Sequence, residues 1–383
     1  MCIPFTDVSR ILLVSLSMSV ILAQSTIGQR REVLRQMTSG EGMDGVYAAI
    51  LEQIMGQGGD KGKLGMGVLM WVSQSERPLD PEELRYALAI KEGPTGLDFE
   101  NMLTIETLLS CCLGLATVDE GGSRVRLIHS TLQEYLCRHP NIFGSSHTKM
   151  ANVCLTYLNS ETIQELPPNL WEHLGKIPFL DYTSCYWGVH ARKGLTGHIK
   201  SLALQLLGGY EHHVSAKVFQ VNQRVWTYYD ARNAPSRFTG LHAIACFGIT
   251  EIATALIRLG GYDVNGKDSL GYTPLMWAAR NSNRGVCEVL LGLEATDSNI
   301  RDSRGETPLF MASADGHEDI VKLLRQRKDL NPGLPDNGRQ SRLSLATKHG
   351  SVYPESIDRM SVRRGCTLRK AWSTWLTKCR RKR

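Results

Sequence analysis

Three groups of residues have types that chemistry uses. The run Gly58-Gly59-Asp60-Lys61-Gly62-Lys63-Leu64 combines glycines with lysines, the materials of a loop whose backbone amides cradle phosphate while a lysine neutralises it. Its glycine spacing is wrong for that task, Leu64 stands where a magnesium-binding Ser or Thr is needed, and no strand precedes it, so it reads as a flexible linker. Ten cysteines include the neighbours Cys111 and Cys112, with no C-x-x-C and no Cys/His cluster at zinc spacing, so most read as buried free thiols. The pair His212-His213 carries no ligand role. With no Ser/His/Asp or Cys/His signature either, the expectation is a chain that is not an enzyme, with no metal and no cofactor.

The elements around these residues have ordinary globular composition. Of 383 residues, 42% are hydrophobic and 21% charged, which excludes a wholly disordered, collagen-like or polytopic membrane chain and leaves room for several folding units. The net charge of +6 is uneven, because residues 359–383 hold ten basic side chains and no acid. The first 358 residues carry 34 basic against 38 acidic groups, a net of −4, so the body is no basic nucleic-acid surface. None of the thirteen asparagines has Ser or Thr two positions on, which favours a reducing, cytoplasmic setting over a secretory one. From composition alone, Ile11 to Ala23 reads equally as a buried strand feeding a short helix or as a signal peptide.

Internal repetition is the clearest pattern. Thr239-Gly240-Leu241-His242-Ala243, Thr273-Pro274-Leu275-Met276-Trp277-Ala278 and Thr307-Pro308-Leu309-Phe310-Met311-Ala312 place a leucine every 34 residues, and Leu343 continues the series. In each, Thr caps a helix and small residues let neighbours approach, and in the second and third Pro starts the helix. Nine residues beyond the threonines sit Gly248, Ser282 and Gly316, with Gly350 after the degenerate Ser341. Second helices follow at Ile252 to Leu259, Val286 to Leu291 and Ile320 to Leu324, with loops at Asp263-Val264-Asn265 and Asp297-Ser298-Asn299. The units resemble ankyrin repeats, three plus a degenerate fourth, and that resemblance implies a stack that binds a protein partner through loop tips and a concave face. The fourth unit stops after Gly350, so either it frays or the tail caps it.

Upstream, Leu64 to Val72 forms one apolar helix face. Asp80-Pro81-Glu82-Glu83 opens a second helix with a capping box, and Thr104 to Cys112 forms a third. Leu115 to Val118 and Val125 to Ile128 then flank the turn Asp119 to Gly122, and Ser130-Thr131-Leu132-Gln133 boxes another helix. That order is a winged helix. The runs Leu69-Met70-Trp71-Val72, Glu76-Arg77-Pro78-Leu79 and Val125 to Leu136 resemble the winged-helix region of fungal NACHT-ankyrin proteins, STAND-type signalling ATPases similar to NOD-like receptors. The resemblance implies that Ile11 to Leu16 is the strand closing a nucleotide-binding domain and that Gln29 to Gln57 is a helical connector. It also implies that His129, in the family's H-x-x-x-Q-E-[FY] pattern, is a vestigial nucleotide sensor; the residues by themselves read it as a structural histidine beside the Ser130 cap. A DNA-binding role is disfavoured because Thr104 to Leu115 has no Lys or Arg.

Between these units, Ala151 to Leu158, Leu180 to Val189 and Leu202 to Leu207 read as connector helices, with Tyr186 and Trp187 in their core. The expected fold is mainly α: a nucleotide-domain remnant at 1–40, a winged helix at 41–140, a helical connector at 141–236, an ankyrin solenoid at 237–350 and a basic, disordered tail at 351–383. The expected function is a non-enzymatic protein-interaction module, a remnant of a NACHT-ankyrin receptor. The alternatives are a STAND ATPase fragment whose upstream exon is missing, and a tail that docks on a membrane or nucleic acid, or directs nuclear entry, through Trp372, Trp375 and its basic residues, unless it is a translated intron or shifted frame.

Overall fold

The computed structural model describes residues 28, 44–90, 102–119, 121–166, 177–222 and 237–331. Sequence expectations for Ile11 to Ala23, Leu343, Gly350 and the basic tail lie outside the described residues. The described chain is mainly helical. Four helices come first: α1 (Asp44–Met55), α2 (Lys61–Gln74), α3 (Pro81–Ala89) and α4 (Ile105–Ser110). The antiparallel hairpin β1 (Ala116–Val118) and β2 (Val125–Leu127) pairs Thr117 with Arg126, and α5 (Ser130–Arg138) completes the winged helix.

Two sequence readings change here. The glycine-rich run is ordered: after a turn, Lys61 begins α2, and Gly62 and Gly65 lie where an added Cβ would meet the carbonyl oxygens of Ile54 and Cys111 at 2.9 and 2.4 Å. Those glycines bring α2 close to its neighbours, a packing role that composition reads as looseness. At α5 the capping residue is His129, whose Nδ1 accepts from the backbone N–H of Thr131 at 3.2 Å, and Ser130 is the first helical residue. The box opening α3 stands as expected: Glu83 N–H donates to Asp80 Oδ1 at 2.8 Å and Asp80 N–H to Glu83 Oε2 at 3.0 Å.

The stretch expected as a connector holds α6 (Ser146–Leu158), α7 (Glu161–Gln164), α8 (Leu180–Lys193), α9 (Gly197–Leu207) and α10 (Val214–Asn222). Three helix pairs follow: α11 (Gly240–Phe247) with α12 (Thr250–Leu259), α13 (Pro274–Arg280) with α14 (Arg284–Leu291), and α15 (Pro308–Ala314) with α16 (Glu318–Arg325). The first members stack α11 on α13 on α15, and the second members stack α12 on α14 on α16. Helix α8 packs on α11 and α9 on α12, so each extends one layer of the stack, and both also pack on α6. Helix α6 closes the far side of α8 and touches α2.

Aromatic rings carry the core through these junctions. Trp71 of α2 meets Phe179 and Tyr182 edge-on at 5.6 and 6.0 Å. Trp187 of α8 meets Phe247 of α11 at 4.9 Å, Phe247 meets Phe219 of α10 at 4.9 Å, and Phe238 meets Trp277 of α13 at 5.5 Å. One continuous apolar cluster therefore runs from Val46 to Leu324. Trp187 is buried as the sequence suggested, while Tyr186 is half-buried against Tyr182.

The tightest point of this core is Gly188 in the middle of α8. A Cβ there would sit 2.2 Å from the Phe247 ring. On helix propensity alone Gly188→Ala would stabilise by up to about 1 kcal/mol; the ring contact reverses the sign, and we expect a loss of about 1–3 kcal/mol. Thermal unfolding of the variant checks this: a lower melting temperature is expected, and a raised one would show that α8 and α11 do not meet at this glycine.

Candidate partner-binding surface

Each repeat helix pair is set by the same local chemistry. Thr239, Thr273 and Thr307 take extended backbone at the N-cap, and Pro274 and Pro308 occupy the first helical turn. The Thr273 hydroxyl accepts from Met276 N–H at 3.3 Å and that of Thr307 from Phe310 N–H at 3.2 Å. Leu241, Leu275 and Leu309 are buried in the core. Where the other repeats have proline, the first has Gly240, whose Cβ position falls 2.7 Å from the Leu207 carbonyl oxygen at the end of α9.

His242 fastens the first repeat to the second. Its Nδ1 accepts from the Thr239 backbone N–H at 3.1 Å, which leaves hydrogen on Nε2 to donate to the carbonyls of Gly266 at 3.0 Å and Tyr272 at 3.2 Å. Burial pushes this imidazole down to about 4, with the two carbonyl bonds opposing the shift, so it stays neutral and holds one tautomer. The later repeats carry weaker versions: Met276 offers only sulfur to the Thr273 N–H at 3.4 Å, and Phe310 offers no acceptor.

Two further ladders bind the repeats along the loop side. Asp268 Oδ1 accepts from Leu270 N–H and Tyr272 N–H, and its Oδ2 accepts from Trp277 Nε1 at 2.9 Å. Asp302 repeats this on Arg304 N–H and Glu306 N–H. Each closes a finger whose glycine, Gly271 or Gly305, has φ near +80°. Ser303 N–H donates to the Leu270 carbonyl at 3.1 Å, joining finger to finger. In the second ladder, Asn265 Nδ2 donates to the Ala295 carbonyl and its Oδ1 accepts from Asp297 N–H; Asn299 does the same with Asp329 and Asn331. Sequence reading found these two loops but missed the fingers, although Asp268-Ser269-Leu270-Gly271 and Asp302-Ser303-Arg304-Gly305 recur at the same 34-residue spacing.

The surface left outside these ladders consists of finger and inner-helix side chains. Arg304 is exposed on its finger, and Arg280 runs back along α13 with its guanidinium 5.9 Å from the centre of the Tyr272 ring. Lys267 and Ser303, though exposed, join the fingers, Lys267 Nζ donating to the Arg301 carbonyl at 2.9 Å and Ser303 Oγ to the Leu270 carbonyl at 2.6 Å. No group of three metal-ligating side chains occurs among the described residues, and no helix there is long and apolar enough to cross a membrane. His129 lies apart in the winged helix, its Nδ1 beside Thr131 Oγ1 at 2.8 Å, and Thr131 Oγ1 also meets Tyr47 Oη at 2.7 Å. His213 bonds Ser215 Oγ and the Leu158 carbonyl, while His212 lies 3.4 Å from Glu211. No disulfide joins the cysteines among the described residues, and burial pushes Cys112 and Cys287 up to about 12, out of the nucleophilic range.

Comparison with known proteins finds the same two kinds of unit. Residues 52–146 match the family model described as the GPI inositol-deacylase winged helix domain, residues 197–302 match ankyrin repeats in three copies, and residues 304–337 match a further ankyrin repeat. The three-copy match begins at α9, inside the connector, in keeping with the stacking of α8–α9 on the first repeat. Protein phosphatase 1 regulatory subunit 12A of Mus musculus is 45% identical over 62 residues, 16% of this chain, and its counterpart from Rattus norvegicus matches equally. The chain spans about 6% of the length of these relatives.

The turn position shared by Gly248, Ser282 and Gly316 generates a test. All three have positive φ, at 75°, 56° and 74°, a region that disfavours a Cβ. Ser282→Gly, in the exposed middle turn, should therefore stabilise the protein by about 0.5–1 kcal/mol despite its added freedom in the unfolded chain. A urea midpoint that rises at unchanged slope is the expected result.

Proposed function

We propose that the chain is a non-enzymatic protein-interaction module whose partner binds across the fingers and inner helices of the repeats. The observation that carries this reading is that Asp268 and Asp302 brace the fingers and Asn265, Asn299, Lys267 and Ser303 join one unit to the next, while the long exposed side chains of Arg280 and Arg304 lie on the same finger and inner-helix surface without bridging units. Ankyrin repeats bind proteins through such variable positions and bring no catalytic groups of their own. The winged helix and the repeats together support a finer reading, a remnant of a NACHT-ankyrin signalling receptor, with units at 41–140, 141–236 and 237–350. A fragment of a STAND ATPase whose upstream exon is missing is the second reading; it is supported by the winged-helix match, while His129, as the cap of α5, fills a structural role.

Site-specific photo-crosslinking tests the binding claim. A benzophenone side chain introduced at Lys267 or Arg304 should capture a discrete partner, and one at Lys322 on α16 should not. Equal capture from both sides, or capture only at α16, would move the binding surface off the fingers.

A further inference from the structure

The segment between α2 and α3 converges on α8 with polar groups that no repeat motif predicts. Glu76 N–H donates to Tyr182 Oη at 3.2 Å, and Lys193 Nζ donates to Glu76 Oε1 at 2.5 Å. Arg77 grips both oxygens of Glu83 at 2.6 and 2.7 Å, donates to Asp181 Oδ2 at 2.8 Å, and lies 5.3 Å from the centre of the Tyr182 ring. Asp181 in turn accepts from Asn222 Nδ2 of α10. Behind this rim, Tyr182 Oη meets His190 Nε2 at 2.8 Å, and His190 Nδ1 faces His147 Nδ1 of α6 at 2.9 Å. Tyr182 and His190 are both 0% exposed.

Two imidazole nitrogens facing each other at 2.9 Å hold one hydrogen between them. With Tyr182 Oη accepting from Glu76 N–H, its own hydrogen goes to His190 Nε2, and His190 Nδ1–H then donates to His147 Nδ1. Every member is satisfied while the pair is neutral. A proton added to His147 Nδ1 either opposes two N–H groups or reverses the chain so that His190 Nε2–H donates to Tyr182 Oη; in both cases a positive charge rests on a pair whose His190 side is fully buried and which already lies in the positive field of Lys193.

We propose that the His147–His190–Tyr182 chain is a proton-operated clasp. Protonation of the histidine pair places a poorly solvated charge in the junction and loosens α8 from the 74–80 segment, and so from the winged helix, while the repeats remain folded. Burial holds His147 at about 4 and His190 well below its usual value, and Lys193 reinforces both shifts while Glu76 opposes that of His147. The sign follows: a depressed folded value means that the clasp is fully closed above the ordinary imidazole value of about 6.5 and weakens as pH falls from there through about 4. The other charged or titratable groups on the junction are Arg77, Asp181 and Glu83 at the rim and Cys154 of α6 beside Tyr182; α10 presents Asn222, and α11 presents Phe247. His242 in the first repeat is a competing acid-sensitive group, so the test separates the two.

Hydrogen exchange of the full chain, stepped from about pH 7 to about pH 4.5 and corrected for intrinsic rates, reads the clasp directly. Peptides covering 73–80 and 180–190 should lose protection at a higher pH than those covering 274–291. His147→Gln, which can hydrogen-bond without titrating, should shift that opening to lower pH or remove it. Loss of protection at one common pH, or an unchanged opening in His147→Gln, would overturn the proposal. Should the variant not fold, histidine NMR of the unaltered chain decides: imidazole signals titrating in step with the opening are expected, and opening without any such titration is contrary.

Discussion

Helix α8 has almost no face of its own to give to solvent, and that constraint orders the rest of the molecule. Of its fourteen residues, nine are buried, against α6 on one side and α10 and α11 on others. A winged helix of this size has a small core, and ankyrin units cannot bury their faces singly. A shared helix relieves both shortfalls. Its start packs Phe179 and Tyr182 beside Trp71, its middle lets Phe247 in over Gly188, and its last turn reaches Asn283 through Arg192 at 3.1 Å. Asn283 then donates to the Ala245 and Cys246 carbonyls, so one short path of hydrogen bonds joins the connector to two successive repeats.

The repeats are held by different means at their two edges. On the loop side, buried Asp268 and Asp302 satisfy backbone groups of their own fingers while half-buried Asn265 and Asn299 satisfy those of the next unit, which suits rigid spacing. On the helix side, small residues and leucines give close packing. The grading from His242 through Met276 to Phe310 makes the first repeat the most firmly joined to its successor, and this is the repeat that also rests on α8.

Much of this was legible in sequence because it is local. Thr caps, Pro starts, the 34-residue leucine period and the positive-φ turn each depend on a few neighbouring residues. The α3 capping box and the wing hairpin are legible for the same reason. What escaped depends on partners far along the chain: the glycines of 58–65 read as looseness until Ile54 and Cys111 are placed against them, and α8–α9 lacks the Thr-Pro-Leu signature although it occupies a repeat-like layer. His129 was found as a residue, but its role as the cap of α5 required knowing that the helix starts at Ser130. The finger turns were available in the sequence and were hidden only by attention to the helices that follow them.

The account rests on the winged helix, α8 and the repeats sharing one core, and urea unfolding at neutral pH, followed region by region by hydrogen exchange, tests it most directly. Peptides covering Val68–Trp71, Tyr182–Trp187 and Leu275–Ala278 should lose protection at a common midpoint, because each is buried in the same continuous cluster. A repeat segment that melts at its own midpoint while the winged helix stays protected would contradict it.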